Sequence, residues 1–266
     1  MIKDILIGQY LYKDSFIHKL DPRTKIICSL IFMISVFSVK WLYEFFFAII
    51  ILLLIIYFSK IPFFRLFYGF KPILPLILLT IFMNLFFVEG DLIFSFFCIK
   101  ITSEGLYLAI FMVFKIFFLV MSTSLLTLTT SPISLTDGIE SLLKKFRFIK
   151  IPYHEIAMMM SIALRFIPTL ANGADKIVKA QKARGADFEV KNILKKVKAI
   201  ISVLIPLFFN AFIRAEELAL AMESRCYRGD YHRTKFRQLH YKLEDIIILI
   251  FFSSLLIFLI MRNIYI

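Results

Sequence analysis

The chain has 266 residues, a formal net charge of +13, and a composition that is 60% hydrophobic and 17% aromatic, with 32 phenylalanines. That much apolar surface excludes a single water-soluble core, and a bilayer has to take up the excess. The charge does not point to nucleic acid: more than half of the Lys and Arg lie between Ser131 and Lys242, one stretch between hydrophobic blocks, as positive-inside orientation explains.

The start through Lys25 is polar and mixed in charge, so no cleavable signal peptide is expected, and insertion relies on the first membrane helix. A spanning helix needs about 20 mostly apolar residues. Five blocks approach this: Ile26–Val39, Trp41–Phe58, Ile73–Val88, Leu106–Leu128 and Ile246–Met261. The first is short and can begin before Lys25, whose side chain would snorkel to the interface. Lys40-Trp41 marks a turn at the interface, and Ser59-Lys60-Ile61-Pro62, Glu89-Gly90-Asp91 and Thr129-Thr130-Ser131-Pro132 are further turn signals. Phe94–Ile101 is apolar but short, an external loop or small hairpin.

Lys19, Arg23 and Lys25, then Lys60, Arg65 and Lys71, then the long basic region fall at alternate ends of successive spans. Short loops rich in Lys and Arg stay in the cytoplasm. The N-terminus is therefore expected inside and the C-terminus outside. The fold expected is an all-α integral membrane protein with about five spans. A membrane domain of four spans covers 1–130, a cytoplasmic or interfacial domain of long amphipathic helices covers 131–242, and the last span covers 243–266.

The stretch 131–242 is too long to be a loop without structure. From Ile156, apolar residues recur at Met159, Met160, Ala163, Ile167, Leu170, Ala174, Ile177 and Val178, a helical stripe opposed by Glu155, Arg165, Asp175, Lys176 and Lys179. Pro168 should kink this helix or start a new one. It should end at Ala183-Arg184, with Gly185 in the left-handed cap. A second run, Val197 through Ser224, is apolar around Pro206, amphipathic after Arg214, and ends at Arg225. Two long helices thus each end in an arginine near a glycine.

Catalytic and metal motifs are not found. No Gly-Lys dipeptide exists to build a phosphate loop. His154-Glu155 is followed at the ligand position by Met158 rather than histidine. Cys28, Cys98 and Cys226 are scattered, and His232 and His240 lack carboxylate partners at ligand spacing, so no metal site is expected. Lys115 lies mid-span, where a charge costs roughly 2.5–3.5 kcal/mol on insertion scales and faces protein or water. It is expected to pack against a carbonyl or Asn84, or to serve function directly.

Several blocks resemble one family. The opening shows Gly8-Gln9-Tyr10, Ser15, His18 and Leu20-Asp21-Pro22-Arg23-Thr24-Lys25; Thr129-Thr130-Ser131-Pro132 and Leu164 through Leu170 follow; then Ala180-Gln181-Lys182-Ala183-Arg184-Gly185-Ala186-Asp187-Phe188, and finally Arg214 through Gly229. In this order and on this topology the sequence resembles the transmembrane (T) component of energy-coupling factor (ECF) transporters, the EcfT family, particularly the shared type that serves several substrate-binding subunits. The resemblance covers nearly the whole chain.

The resemblance implies that Ala183-Arg184-Gly185 and Ser224-Arg225-Cys226 are the small-Arg-small motifs that end the coupling helices. Arg184 and Arg225 would each dock into a groove on one of two ATPase subunits. Met158, Met159, Arg165, Pro168 and Pro206 are candidates for coupling to, or contact with, interchangeable substrate-binding S components. Asp21, Pro22, Arg23 and Lys25 belong to the opening signature. Cys226 stands where the family often has glycine, which leaves the cap of that helix open, and Lys115 stands where arginine is frequent. The implied protein is a non-catalytic, multi-pass subunit of the cytoplasmic membrane, in contact with the lipid bilayer, that takes part in vitamin uptake. It would bind no cofactor, ATP-Mg being held by the partner subunits.

Alternatives are a dedicated T component for biotin, cobalt or nickel, a membrane enzyme using Lys115, Asn84 or the histidines, and a secondary transporter. The enzyme would need a convergent acid or base cluster and the secondary transporter inverted repeats. Neither is evident.

Overall fold

The computed structural model describes residues 10–96, 99–144, 153–188, 192–229 and 239–265. Gly8, Gln9, Cys98 and His232 lie outside them. The described residues are mostly helical. A one-turn α1 (Phe16–Lys19) leads into α2 (Pro22–Ser38), and a 3-10 turn at Leu42–Glu44 leads into α3 (Phe45–Ser59); α4 (Phe63–Tyr68) and α5 (Leu74–Phe87) follow. A hairpin of β1 (Leu92–Phe96) and β2 (Ile99–Thr102) pairs antiparallel, with Phe94 opposite Ile101. This fulfils the hairpin expectation for Phe94–Ile101. Then come α6 (Ser103–Thr129), α7 (Pro132–Leu143), α8 (Tyr153–Ala183), α9 (Ile193–Ser224) and α10 (Leu243–Tyr265).

Among the described residues five helices are long and apolar enough to cross a membrane: Leu42–Ser59, Ser103–Thr129, Glu155–Ala183, Ile193–Ser224 and Leu243–Arg262. The number matches the expectation, but the membership differs. The blocks Ile26–Val39 and Ile73–Val88 fold as α2 and α5, of 17 and 14 residues, while the two long helices of the basic region reach spanning length. Pro168 neither splits α8 nor starts a new helix, and Pro206 likewise lies inside α9. Each forfeits one backbone hydrogen bond, a loss that the turns on either side of it outlast.

The contacts divide the chain into two compact units, with the boundary after Gly138 inside α7. One holds the described residues up to Gly138 together with α10; the other holds those from Ile139 through Gly229.

The first unit is built around aromatic rings. Phe45 of α3 stacks on Phe118 of α6 at 5.6 Å and meets Phe111 at 5.3 Å, while Phe32 of α2 stands edge-on to Phe118 and to Phe252 of α10. Such pairs add roughly 0.5–1.5 kcal/mol each beyond the area they bury. The helices α5 and α6 approach closely at Gly105, where any Cβ would stand 2.6 Å from the Asn84 carbonyl oxygen.

Polar clamps hold both ends of this unit. At one end the Asp245 carboxylate, wholly buried, accepts from the Asp21 backbone N–H (3.0 Å) at the start of α2 and from the Lys242 N–H (2.9 Å) at the start of α10. One carboxylate therefore caps two helix N-termini, each of which carries positive dipole and unpaired N–H groups. Asp21 in turn caps α2 by accepting from the Arg23 N–H, and pairs with the Arg23 guanidinium at 2.9 Å. Arg23 lies 4.0 Å over the Tyr241 ring.

Lys25 does not snorkel. It is buried, and its ammonium donates to the His18 carbonyl (3.1 Å) and the Thr129 carbonyl (3.0 Å). The last carbonyls of α6 have no partner within the helix, so a cation there satisfies an obligatory need. His18 accepts from the Ser15 hydroxyl at Nδ1 and donates from Nε2 to the Leu11 carbonyl. Burial pushes its pKa below the usual histidine value, which favours this neutral form.

At the other end buried Glu44 pairs with Arg262 at 3.1 Å and accepts from the Lys40 N–H, and Arg262 also bonds the Tyr43 hydroxyl. These clamps show that α2 and α10 run parallel, with α3 and α6 antiparallel to them.

Replacing Asp245 by Ala strands the buried Asp21 N–H and the partly buried Lys242 N–H and should cost about 2–4 kcal/mol, with Asp245→Asn losing less. Thermal unfolding of the detergent-purified protein measures this; an unchanged midpoint for Asp245→Ala would contradict the shared cap.

Candidate functional site

The two arginine-bearing helix ends lie in the second unit, where α8 packs on α9. The last helical residue of α8 is Ala183, Arg184 follows as the cap, and Gly185 turns left-handed at φ 87°. The Ala186 N–H bonds back to the Gln181 carbonyl at 2.9 Å, and the Gly185 N–H to the Lys182 carbonyl at 3.0 Å. This pair of bonds, six residues to one and five to two, is the Schellman arrangement.

The end of α9 repeats it. Ser224 is the last helical residue, Arg225 is the cap, and Cys226 takes the left-handed position at φ 57°. The Tyr227 N–H reaches the Met222 carbonyl at 3.0 Å, and the Cys226 N–H the Glu223 carbonyl at 2.9 Å. The absent glycine therefore does not change the cap. Cysteine adopts the conformation at a cost of roughly 1–2 kcal/mol.

Ala183, Arg184 and Gly185 are exposed, as are Ser224, Arg225 and Cys226. Among the described residues neither guanidinium has an ion-pair partner. Each sits where the negative end of the helix dipole favours a cation, and each offers five donors in a planar fork to a carboxylate or carbonyl.

The remaining candidates in the two long helices are spread along them. Met159 and Arg165 are exposed, Met158, Pro168 and Pro206 half-buried. Phe166 of α8 and Asn210, Arg214 and Glu217 of α9 line an open cleft of about 540 Å³. Only Ala199 and Val203 of α9 are buried, and Ile200, Leu204, Ile205, Phe208, Phe209 and Phe212 face outward.

The opening-signature residues Asp21, Arg23 and Lys25 come together in the clamp of the first unit, with Pro22 at the first position of α2. Asp245, Glu44 and Arg262 escaped the sequence reading. The signal that could have found them is a charge at each end of an otherwise apolar block, since membrane charges pair with one another. Lys115 finds a carbonyl, donating to Phe37 at 3.2 Å and lying 4.6 Å over the Phe111 ring, whereas Asn84 donates to its own helix at Thr80. No cluster of three potential metal ligands occurs among the described residues.

Five long apolar helices among the described residues, all with outward apolar side chains, define a multi-pass membrane protein. Residues 13–236 match the family described as Cobalt transport protein, CbiQ. The chain is 48% identical over 249 residues to the energy-coupling factor transporter transmembrane protein EcfT of Clostridium kluyveri, covering 93% of this chain and 92% of that one. It is 48% identical over 248 residues to its namesake from Ruminiclostridium cellulolyticum, covering 93% of each chain. The EcfT of Bacillus subtilis is 43% identical over 263 residues, covering 97% of this chain and 99% of that relative. The chain belongs to this CbiQ/EcfT family of ECF transporter membrane components.

The two caps make opposite predictions for similar substitutions. Cys226→Gly should stabilise the protein by about 1 kcal/mol and Gly185→Ala destabilise it by about the same amount, both read as shifts in thermal unfolding.

Proposed function

We infer that this chain is the mechanical coupling subunit of an ECF importer. Two partner ATPase subunits hold ATP-Mg and hydrolyse it. Arg184 and Arg225 dock one into each, and the long helices α8 and α9 carry the resulting displacement to a substrate-binding S component, which reorients and releases its vitamin inside the cell. The chain itself catalyses nothing and binds no cofactor.

The observation that carries this reading is the matched pair of caps: two helices end in the same hydrogen-bonded turn, each presenting an exposed arginine with no ion-pair partner among the described residues. A single arginine in a last turn is ordinary dipole chemistry. Two in identical frames suit two copies of one kind of partner groove. The outward apolar side chains of α9 supply surface for lipid or an S component. The shared type fits the opening signature better than the dedicated one for biotin, cobalt or nickel.

Arg184→Ala and Arg225→Ala should each weaken co-purification of the ATPases and cut uptake, with the double variant abolishing uptake. Normal assembly and uptake in the double variant would sink the assignment. The orientation proposed puts the N-terminus and the arginine caps in the cytoplasm of a cell-membrane protein. Cysteine placed at Gly90 or Tyr265 should then react with an impermeant reagent from outside, and one at Arg225 should not.

A further inference from the structure

Protein interiors hold few voids larger than a water molecule. The first unit contains one of about 300 Å³, enclosed by α1, α2, α3, α6 and α10. Its depth is apolar, with Phe32, Ile51, Leu52 and Phe252 all buried. Its mouth is formed by Phe16, Leu54, Phe58 and Phe251, which are exposed along the flanks of the bundle.

Two donors point to what fills it. Thr24 lines the void, is wholly buried, and its hydroxyl has no hydrogen-bond partner among the described residues. Lys25 also lines it and is buried, and its ammonium spends two of its three N–H groups on the His18 and Thr129 carbonyls. A buried donor without an acceptor is costly, so an acceptor belonging to an occupant is called for. The charges beside it already balance, Asp21 and Asp245 against Arg23 and Lys25, which favours a neutral acceptor over an ionised one. Outside, the Lys13 ammonium donates to the Lys60 carbonyl at 2.9 Å; Lys60 closes α3 just beyond Phe58, and Lys13 precedes Phe16. Two exposed cations thus stand near the mouth.

We propose that this void is a binding site for one anionic membrane phospholipid. An acyl chain fills the apolar slot, a glycerol-ester carbonyl accepts from Thr24 and Lys25, and the phosphate lies outside against Lys13 and Lys60. An apolar slot with a few convergent polar groups is the general form of a ligand site. A free fatty acid fits less well because its carboxylate would bring unbalanced charge to the buried end.

The test is native mass spectrometry of the full chain, extracted from bilayers of phosphatidylglycerol and phosphatidylcholine and exchanged through mild detergent. The wild type should keep one phosphatidylglycerol. Ser122→Phe, which fills the slot, should lose it at an unchanged unfolding midpoint. Thr24→Val keeps the shape and removes one donor, and should reduce retention about fivefold, as loss of one neutral hydrogen bond would. Should Ser122→Phe fail to fold, Thr24→Val decides alone. Bare wild-type protein, equal retention in Thr24→Val, or a slot holding only detergent or free fatty acid would each overturn the site.

Discussion

Everything in the first unit depends on how the ends of its helices are satisfied. Within a bilayer, lipid tails are as apolar as leucine, so burial of apolar side chains against one another gives little net drive. Packing and polar pairing must do the rest. The Asp245 carboxylate is central because it answers two helix N-termini at once, and it sets α2 and α10 side by side and parallel. Lys25 brings the end of α6 to the same place, and Glu44 with Arg262 closes the far end. The phenylalanine stack between these clamps then has a fixed frame in which to interdigitate.

Much of this was legible in the sequence, and what was not shares a cause. The end of α8 could be read from Ala183-Arg184-Gly185 because a helix cap is decided by a few adjacent residues. The matching end of α9 was less visible, since its left-handed residue is cysteine and composition gives no sign that the backbone bonds would hold it there. Lys25 was expected to reach outward; its acceptor at Thr129 lies 104 residues away and no local pattern announces it. Asp21 and Asp245 are 224 positions apart. The prolines, Pro168 and Pro206, lie inside continuous helices. Each removes one hydrogen bond, and a helix of some thirty residues continues past it.

The second unit has a different character. Its helices bury few of their own side chains, and the outward surface of α9 from Ile200 to Phe212 is apolar. Membership of a transporter family accounts for such a surface, because a component of an assembly leaves to lipid and neighbours the covering that a free-standing domain must supply itself. The basic residues that gave the chain its charge are concentrated in this same stretch, where the sequence alone pointed to a cytoplasmic or interfacial domain.

Pro168 and Pro206 also have a geometric consequence. At 1.5 Å per residue, the distance from Pro168 to Arg184 is about 24 Å and from Pro206 to Arg225 about 28 Å. Each proline lies near the middle of its continuous helix, so the two arms that end in arginine are nearly equal in length. A bend of about ten degrees at either proline would carry its arginine about 4–5 Å, a little less than the pitch of one helical turn. Arms of matched length give the two tips matched travel for the same bend.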